Sequence, residues 1–261
     1  MALRTVDLNA DMGEGFGAYR IGDDAALLDI VTSANVACGF HGGDPEIMHE
    51  TMRMAYTRKV TIGAHPGFPD LWGFGRRVIP FTCGEIERLV AYQTGAAQAI
   101  AAYAGCHVSY VKIHGALANL AEHDEGVASA IIAATKAVDA SLSMVAIAYS
   151  ALERLAREQG LTVHSEIFAD RAYAEDGHLL SRKEAEAVLH DPALIAARVV
   201  RMVEARAIET VKGNMLETHI DTICVHGDSA HALDIARTVR RSLEGAGIML
   251  QSPHESSHHV V

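Results

Sequence analysis

Short apolar runs alternate with longer amphipathic stretches along nearly the whole chain. Residues 5–9, 33–38, 60–64, 108–113, 142–148, 162–168 and 221–225 read as strands by length and bounding turn residues. The run at 142–148 is wholly apolar, as buried parallel strands tend to be. Helices are predicted over 23–32, from Pro45 to about 58, from 83 to about 104, over 116–120, 125–138 and 150–159, from Pro192 to about 207, and over 229–243. Their starts are punctuated. Asp44 and Asp191 each precede a proline, as an N-cap before a proline-led first turn does, and Thr82 with Glu85 forms a capping-box pattern. Lys212-Gly213-Asn214 predicts a turn between two short strands, and 171–190 is a long excursion turning at Asp176-Gly177.

Parity within the strands carries the fold assignment. Side chains alternate across a strand, so Asp7, Asn9 and Asp11 share one face while Val6, Leu8 and Ala10 take the other. By the same count Lys112 shares a face with His114, and His164 shares one with Glu166 and Asp170. Nearly every predicted strand ends in a polar group: Asp11, His41, His65, His114, Asp170, His226. An open doubly wound sheet collects ligands at its switch point alone, whereas in a closed barrel all C-terminal strand ends meet at one mouth. The expected fold is therefore an α/β chain with a (β/α) barrel of about seven parallel strands. It fills residues 1–251 as one domain, with 252–261 as a disordered tail.

The segment GAHPGFPDLWGFGRR (residues 63–77) is too rich in glycine and proline for a helix and too long for a tight turn. We expect residues 66–80 to fold over the mouth as a lid, with Phe68, Trp72 and Phe74 on its underside. One of Arg76 and Arg77 would brace Asp70, and the other would reach an anionic substrate.

Charge and cysteine usage narrow the function. A formal net charge of −11 argues against a nucleic-acid partner. There is neither an apolar run long enough for a membrane span nor a signal-peptide core, so no membrane role and a cytoplasmic location are expected. Cys38, Cys83, Cys106 and Cys224 lack metal-motif or disulfide spacing and read as reduced thiols. Cys38 and Cys224 are expected to be small core residues.

The groups converging on the mouth are acids and bases of both kinds. Asp11, His65, Lys112, His114, Glu166 and Asp170 form the candidate catalytic set. Asn9, Glu14, His41, Asp44, Arg76, Arg171, His226 and Asp228 are candidates for holding substrate or phosphate. Lys112 inside a barrel must be paired, with Glu166 or Asp170 as partner. His41, His65 and Asp11 make a reasonable carboxylate-plus-imidazole metal set, although no HExxH helix pair is present. No GxSxG elbow and no P-loop occur, so a nucleotide would have to be cradled by the glycine loops at 13–17, 42–43 and 73–75. Hydrolysis by general acid–base chemistry, metal-dependent deacetylation or amide hydrolysis, and binding without catalysis all remain open on this constellation.

Six motifs in order resemble the LamB/YcsF family: DLNADMGEGFG (7–17), NVACGFHGGD (35–44), GAHPGFPDLWGFGRR (63–77), VKIHGALAN (111–119), EIFADRAY (166–173) and CVHGD (224–228). The resemblance implies a barrel of the glycoside hydrolase/deacetylase type. It implies an activity in which the family supplies the A component of an ATP-hydrolysing 5-oxoprolinase. That enzyme opens the lactam 5-oxo-L-proline to L-glutamate, with ATP as co-substrate together with Mg, and with subunits B and C as partners. A homo-oligomer and a site-bound divalent metal are left open. Within the resemblance Asp11 or His65 is the candidate base, with Lys112 and Arg76 stabilising oxyanion or phosphate charge. The chain departs from the family pattern at Ala10 (Cys expected), Gly42 (Ala), Ile113 (Pro) and Ala118 (Tyr), and residues 179–188 lack a Pro-Gly-Ala after Arg182.

Overall fold

Seven parallel strands close on themselves: β1 (Arg4–Met12), β2 (Ser33–Ala37), β3 (Thr61–His65), β4 (Tyr110–Lys112), β5 (Ser143–Ile147), β6 (Val163–Phe168) and a last strand, Thr222–Val225, that pairs with both β6 and β1. Before it, β7 (Ala207–Glu209) and β8 (Met215–Glu217) make the antiparallel hairpin predicted around Gly213, so the closing strand is β9. The structure is a computed structural model and describes residues 4–225 and 232–253. His226 and Asp228, assigned from the sequence to substrate binding, lie outside the described residues, as does the start of the helix expected over 229–243.

The helices are α1 (Asp24–Leu28), α2 (Pro45–Thr57), α3 (Cys83–Tyr103), α4 (Gly115–His123), α5 (Glu125–Val138), α6 (Ala151–Glu158), α7 (Pro192–Ala205) and α8 (Ala232–Gly245). The predicted caps form. Thr82 and Glu85 exchange both capping-box bonds, and Asp44 and Asp191 each accept first-turn amides; Ser150, not expected as a cap, does the same for α6. Two helices end earlier than expected. The amides of Ile30 and Val31 fold back to Leu27 O and terminate α1, and Arg206 takes a left-handed conformation (φ 51°) that turns α7 into β7. A strand absent from the expected set, β10 (Ile248–Leu250), adds to the N-terminal half of β1. Three residues are too few to show a period. Ser252, placed in the tail on sequence grounds, is buried within 3.2 Å of Ser33, so the packed chain reaches past 251. Among the described residues no helix is long and apolar enough to cross a membrane.

Register turns strand parity into layers. Asp11 stands beside Asn35, Asn35 beside Gly63, Gly63 beside Tyr110, Ile147 beside Glu166, and Glu166 beside Thr222. These face the interior. Val6, Leu8, Ala10, Met12, Val36, Ile62, Val111, Met144 and Ile167, of opposite parity, are buried in the main apolar core. The barrel thus inverts the usual arrangement, with an apolar outer layer and a polar axis. Tyr110 reaches over β3 to donate to Asn35 Oδ1 at 2.7 Å. It can do so because Gly63 leaves the room: a Cβ there would fall 2.1 Å from the Tyr110 ring.

The loop after β3 departs from its expected form. Phe68 is fully buried and packs on Phe81, but Trp72 is 97% exposed and covers nothing. Asp70 accepts from Gly73 N and pairs with Arg77, the expected brace, and the turn between them carries Trp72 outward.

Gly63→Ala should destabilise the chain by about 1–3 kcal/mol through overpacking against Tyr110. In a denaturant-melt double-mutant cycle with Tyr110→Leu, the two costs should be strongly less than additive. Additive costs would show that the Tyr110 ring does not fill the space beside residue 63.

Candidate active site

Lys112, projecting inward from β4, is the centre of the interior network. Its Nζ lies 3.0 Å from Asp11 Oδ1, 2.8 Å from Glu166 Oε1, 3.2 Å from Asn9 Oδ1 and 3.1 Å from Cys224 Sγ. Burial alone would strip its proton, but the carboxylates of Asp11 and Glu166 hold it well above the ordinary lysine value, so it is an ammonium. Asn9 Nδ2 donates to Glu166 Oε1 (3.0 Å) and Thr222 Oγ1 (2.7 Å), and Asn35 Nδ2 donates to Asn9 Oδ1 (2.7 Å) and Asp11 Oδ1 (2.9 Å). One oxygen of Asp11 is therefore fully engaged by Lys112 and Asn35, and Oδ2 turns toward His65.

Beneath this layer Asp7 accepts hydroxyl bonds from Thr32, Ser33 and Thr222. Burial pushes its carboxyl up to about 6, against those three bonds. The Cys224 thiol, driven well above its usual range by burial despite Lys112 beside it, is inert as a nucleophile.

Above the layer sits a belt of rings. His65 Nδ1 is 2.8 Å from Lys112 O, His114 Nε2 is 2.8 Å from Phe74 O, and the facing nitrogens His65 Nε2 and His114 Nδ1 are 3.0 Å apart. His41 stacks on His114 with centroids 3.6 Å apart and planes 3° from parallel, and its Nε2 is 3.3 Å from Glu14 Oε1. Burial, reinforced by neighbouring imidazoles, lowers His114 to about 3 and His41 well below the ordinary histidine value. Glu14, His41, His65 and His114 each bring a ligand atom within 4.8 Å of the others, a buried set that can hold a metal ion. Asp11, grouped with His41 and His65 on sequence grounds, stands at the edge of this cluster, 3.4 Å from His65 Nε2.

A cavity of about 570 Å³ opens over Asp11, His65, Lys112, His114 and Glu166. Its wall carries Arg76, Arg171, Arg182 and Lys183, with Asn119, Glu122 and Ser181 on α4 and the long excursion. Arg171 also ties that excursion down, donating to Leu180 O (2.6 Å) and Ala187 O (3.2 Å).

Asn9, Glu14 and His41 stand in the network and the belt rather than in the cavity lining, and two predicted residues belong to none of the three. Asp44 does not line the cavity; it caps α2, accepting from the Glu46, Ile47 and Gly17 amides. Asp170 is buried but also lies outside the cavity lining, and Lys112 takes Glu166 as its partner instead. Sequence reasoning passed over Asn35, Tyr110 and Thr222, although Tyr110 shares strand parity with Lys112, which it did select. Arg182, Lys183 and Glu122 carried no signal of strand position.

The model of the LamB/YcsF family matches residues 6–258. The chain belongs to the LamB/YcsF family. It is 65% identical to a protein of Gluconobacter oxydans named as the A component of 5-oxoprolinase, over 97% of this chain and 99% of that one. A protein of the same name from Azorhizobium caulinodans is 55% identical over 94% and 97% of the two chains. Among solved structures, a lactam utilization protein from Thermus thermophilus superposes with a TM-score of 0.90 at 42% identity, over 95% of this chain and 99% of that one. A family 4 carbohydrate esterase from Streptomyces lividans shares the fold at 12% identity, with a TM-score of 0.50 over 99% and 97% of the chains. Of the four departures from the family pattern, Ile113 and Ala118 line the cavity and Ala10 faces the outer core. At Gly42 a Cβ would fall 2.7 Å from Glu14 O, so this backbone admits only glycine there.

Asp7 gives the site's floor a defined pH response. A folded-state value near 6 against an ordinary 3.8 means its contribution to stability is complete below pH 3.8 and is lost as pH rises through about 6. That shift corresponds to roughly 3 kcal/mol. In urea melts at pH 4 and pH 7, Asp7→Asn should fall by about that much less than the parent chain as pH rises. Identical pH dependence in the two proteins would show that Asp7 is not held protonated by burial.

Proposed function

We propose that this chain is the lactam-binding and ring-opening component of a cytoplasmic, ATP-dependent 5-oxoprolinase, working with subunits B and C of that enzyme. The family and the names of its relatives support the substrate. One observation in the structure supports a catalytic role: a buried Asp11–Lys112–Glu166 ion triad stands at the floor of a cavity whose wall bears four further cations. A small anionic lactam, and a phosphorylated form of it still more, suits that wall.

A five-membered lactam is unstrained, so its hydrolysis gains from coupling to ATP. Transfer of the γ-phosphoryl group to the lactam oxygen releases ADP and leaves a ring carbon of much greater electrophilicity. Addition of one water and cleavage of the C–N bond open the ring to an acyl phosphate. A second water then releases phosphate and glutamate. In this scheme Asp11 Oδ2 takes the proton from water, because Oδ1 is already held by Lys112 and Asn35. Lys112 stabilises negative charge developing on the substrate oxygen, and Arg76 and Arg171 hold carboxylate or phosphate oxygens. His65 and His114, adjoining Asp11 at the cavity edge, orient the attacking water. ATP with its Mg is the co-substrate in this scheme.

Asp11→Asn should lower kcat for glutamate formation from 5-oxoproline and ATP, in the complex assembled with subunits B and C, by about 10²–10⁴-fold. Assembly and KM should change little. Full turnover by an assembled Asp11→Asn complex would reduce this chain to a binding component, with the chemistry carried elsewhere.

A further inference from the structure

Two hydrogen bonds fix the tautomers of the histidine belt. A carbonyl oxygen only accepts, so His65 must carry its proton on Nδ1, facing Lys112 O, and His114 must carry its own on Nε2, facing Phe74 O. The two nitrogens that face each other across 3.0 Å, His65 Nε2 and His114 Nδ1, are then both bare lone pairs. Glu14 Oε1, itself negative, approaches the same point at 3.6 Å from His114 Nδ1. Three electron-rich atoms thus converge on one point.

A cation at that point relieves the repulsion. We propose that His65 Nε2, His114 Nδ1 and Glu14 Oε1 bind one divalent transition-metal ion, with a fourth position on the side of Asp11 Oδ2, 3.4 Å from His65 Nε2, and of the cavity.

The spacing agrees. Ligands about 2.1 Å from a tetrahedral ion lie roughly 3.4 Å from one another. The two pairs that involve His114 are 3.0 Å and 3.6 Å apart, and all the ligand atoms lie within 4.8 Å of one another. Two imidazoles and one carboxylate select an ion of the zinc, cobalt or nickel class over magnesium or calcium, which take oxygen ligands. The carbonyls of Lys112 and Phe74 supply the outer hydrogen bonds that orient metal-binding histidines. Three protein ligands and an open position are the pattern of a catalytic site; a structural one is closed by four.

His41 is not a ligand of this ion. Its ring is parallel to His114, and lone pairs lying in parallel planes cannot converge on one point. It is a positioning residue, donating from Nε2 to Glu14 Oε1 at 3.3 Å. That tautomer leaves its unpartnered buried Nδ1 as a bare acceptor, which is cheaper to bury than an orphaned N–H.

The test is titration of the metal-stripped full chain with Co²⁺, followed by visible absorption and by metal analysis after desalting. It needs neither lactam nor partner chains, so its failure is distinct from failure of the proposed ring opening. One cobalt should bind per chain with the absorption of a low-coordinate site. His65→Gln, His114→Gln and Glu14→Gln should each weaken binding by at least ~100-fold, and His41→Phe by ~10–100-fold, as loss of an outer partner does. His178→Ala disrupts the second ligand group, Glu122, His123 and His178, and should leave binding unchanged. Proton NMR of the cobalt-loaded parent chain checks the assignment without any variant. It should show two exchangeable, paramagnetically shifted imidazole N–H signals, from His65 Nδ1–H and His114 Nε2–H. Absence of cobalt binding, loss of binding in His178→Ala, retention of full affinity by a folded His65→Gln/His114→Gln variant, or absence of those two signals would each overturn the assignment.

Discussion

One buried ammonium sets the terms for the barrel interior. Lys112 is 4% exposed, and an isolated charge at that depth would not survive. It persists because two carboxylates from the strands on either side of β9, Asp11 on β1 and Glu166 on β6, meet it at 3.0 and 2.8 Å. Removing either partner of such a pair typically costs about 3–5 kcal/mol, because the remaining charge is left in a poorly solvated place. The amides of Asn9 and Asn35 then take up remaining acceptor positions of the carboxylates, and Tyr110 takes up that of Asn35. Stability of the pair and polarity of the whole axis are therefore one constraint. An apolar residue placed in this layer would strand several polar groups at once.

The interior is graded along its axis. At the floor Asp7 is answered only by hydroxyls, which is why burial raises its carboxyl to about 6. At mid-height a carboxylate pair shares one ammonium. Toward the mouth His41 and His114 are held neutral, and the cavity wall beyond them carries Arg76, Arg171, Arg182 and Lys183. A substrate entering between the wall and the triad meets cations first and proton acceptors last. That order suits an anion whose neutral amide carbon is the reacting centre.

Much of this was legible because a strand's period is two. The parity of Asp7, Asn9 and Asp11, and of Lys112, placed them inside a barrel from the sequence, and the register of β1, β2 and β4 puts them there. Parity is silent once the strand ends. Asp170 lies two residues past β6, where alternation no longer applies, and it is buried outside the cavity. Asp44 illustrates a different limit. Its aspartate-before-proline pattern was read correctly as a helix cap, and that role engages both carboxylate oxygens away from the cavity lining. Arg182 and Lys183 reach the cavity from an irregular excursion held by Arg171, a placement fixed by long-range contacts that no local period encodes.

The loop after β3 shows how backbone atoms can matter more than the aromatic side chains that first draw notice. Trp72 faces solvent, so the loop's apolar residues do not form a common underside. Its contribution is the Phe74 carbonyl, which fixes the protonated nitrogen of His114, and the Gly75 carbonyl, which accepts from Ala116 N at the start of α4. Gly75 has a φ of +63°, and a Cβ there would fall 2.7 Å from His41 Cβ and 2.8 Å from His114 Cδ2. The backbone passes that close to the rings only because the residue is glycine. Gln93 of α3 pins the near end of the loop by bonding both the amide and the carbonyl of Gly67, and the Asp70–Arg77 pair braces its middle. The loop is thus built as a wall, anchored to two helices. What it fixes is the orientation and tautomer of one imidazole at the edge of the cavity.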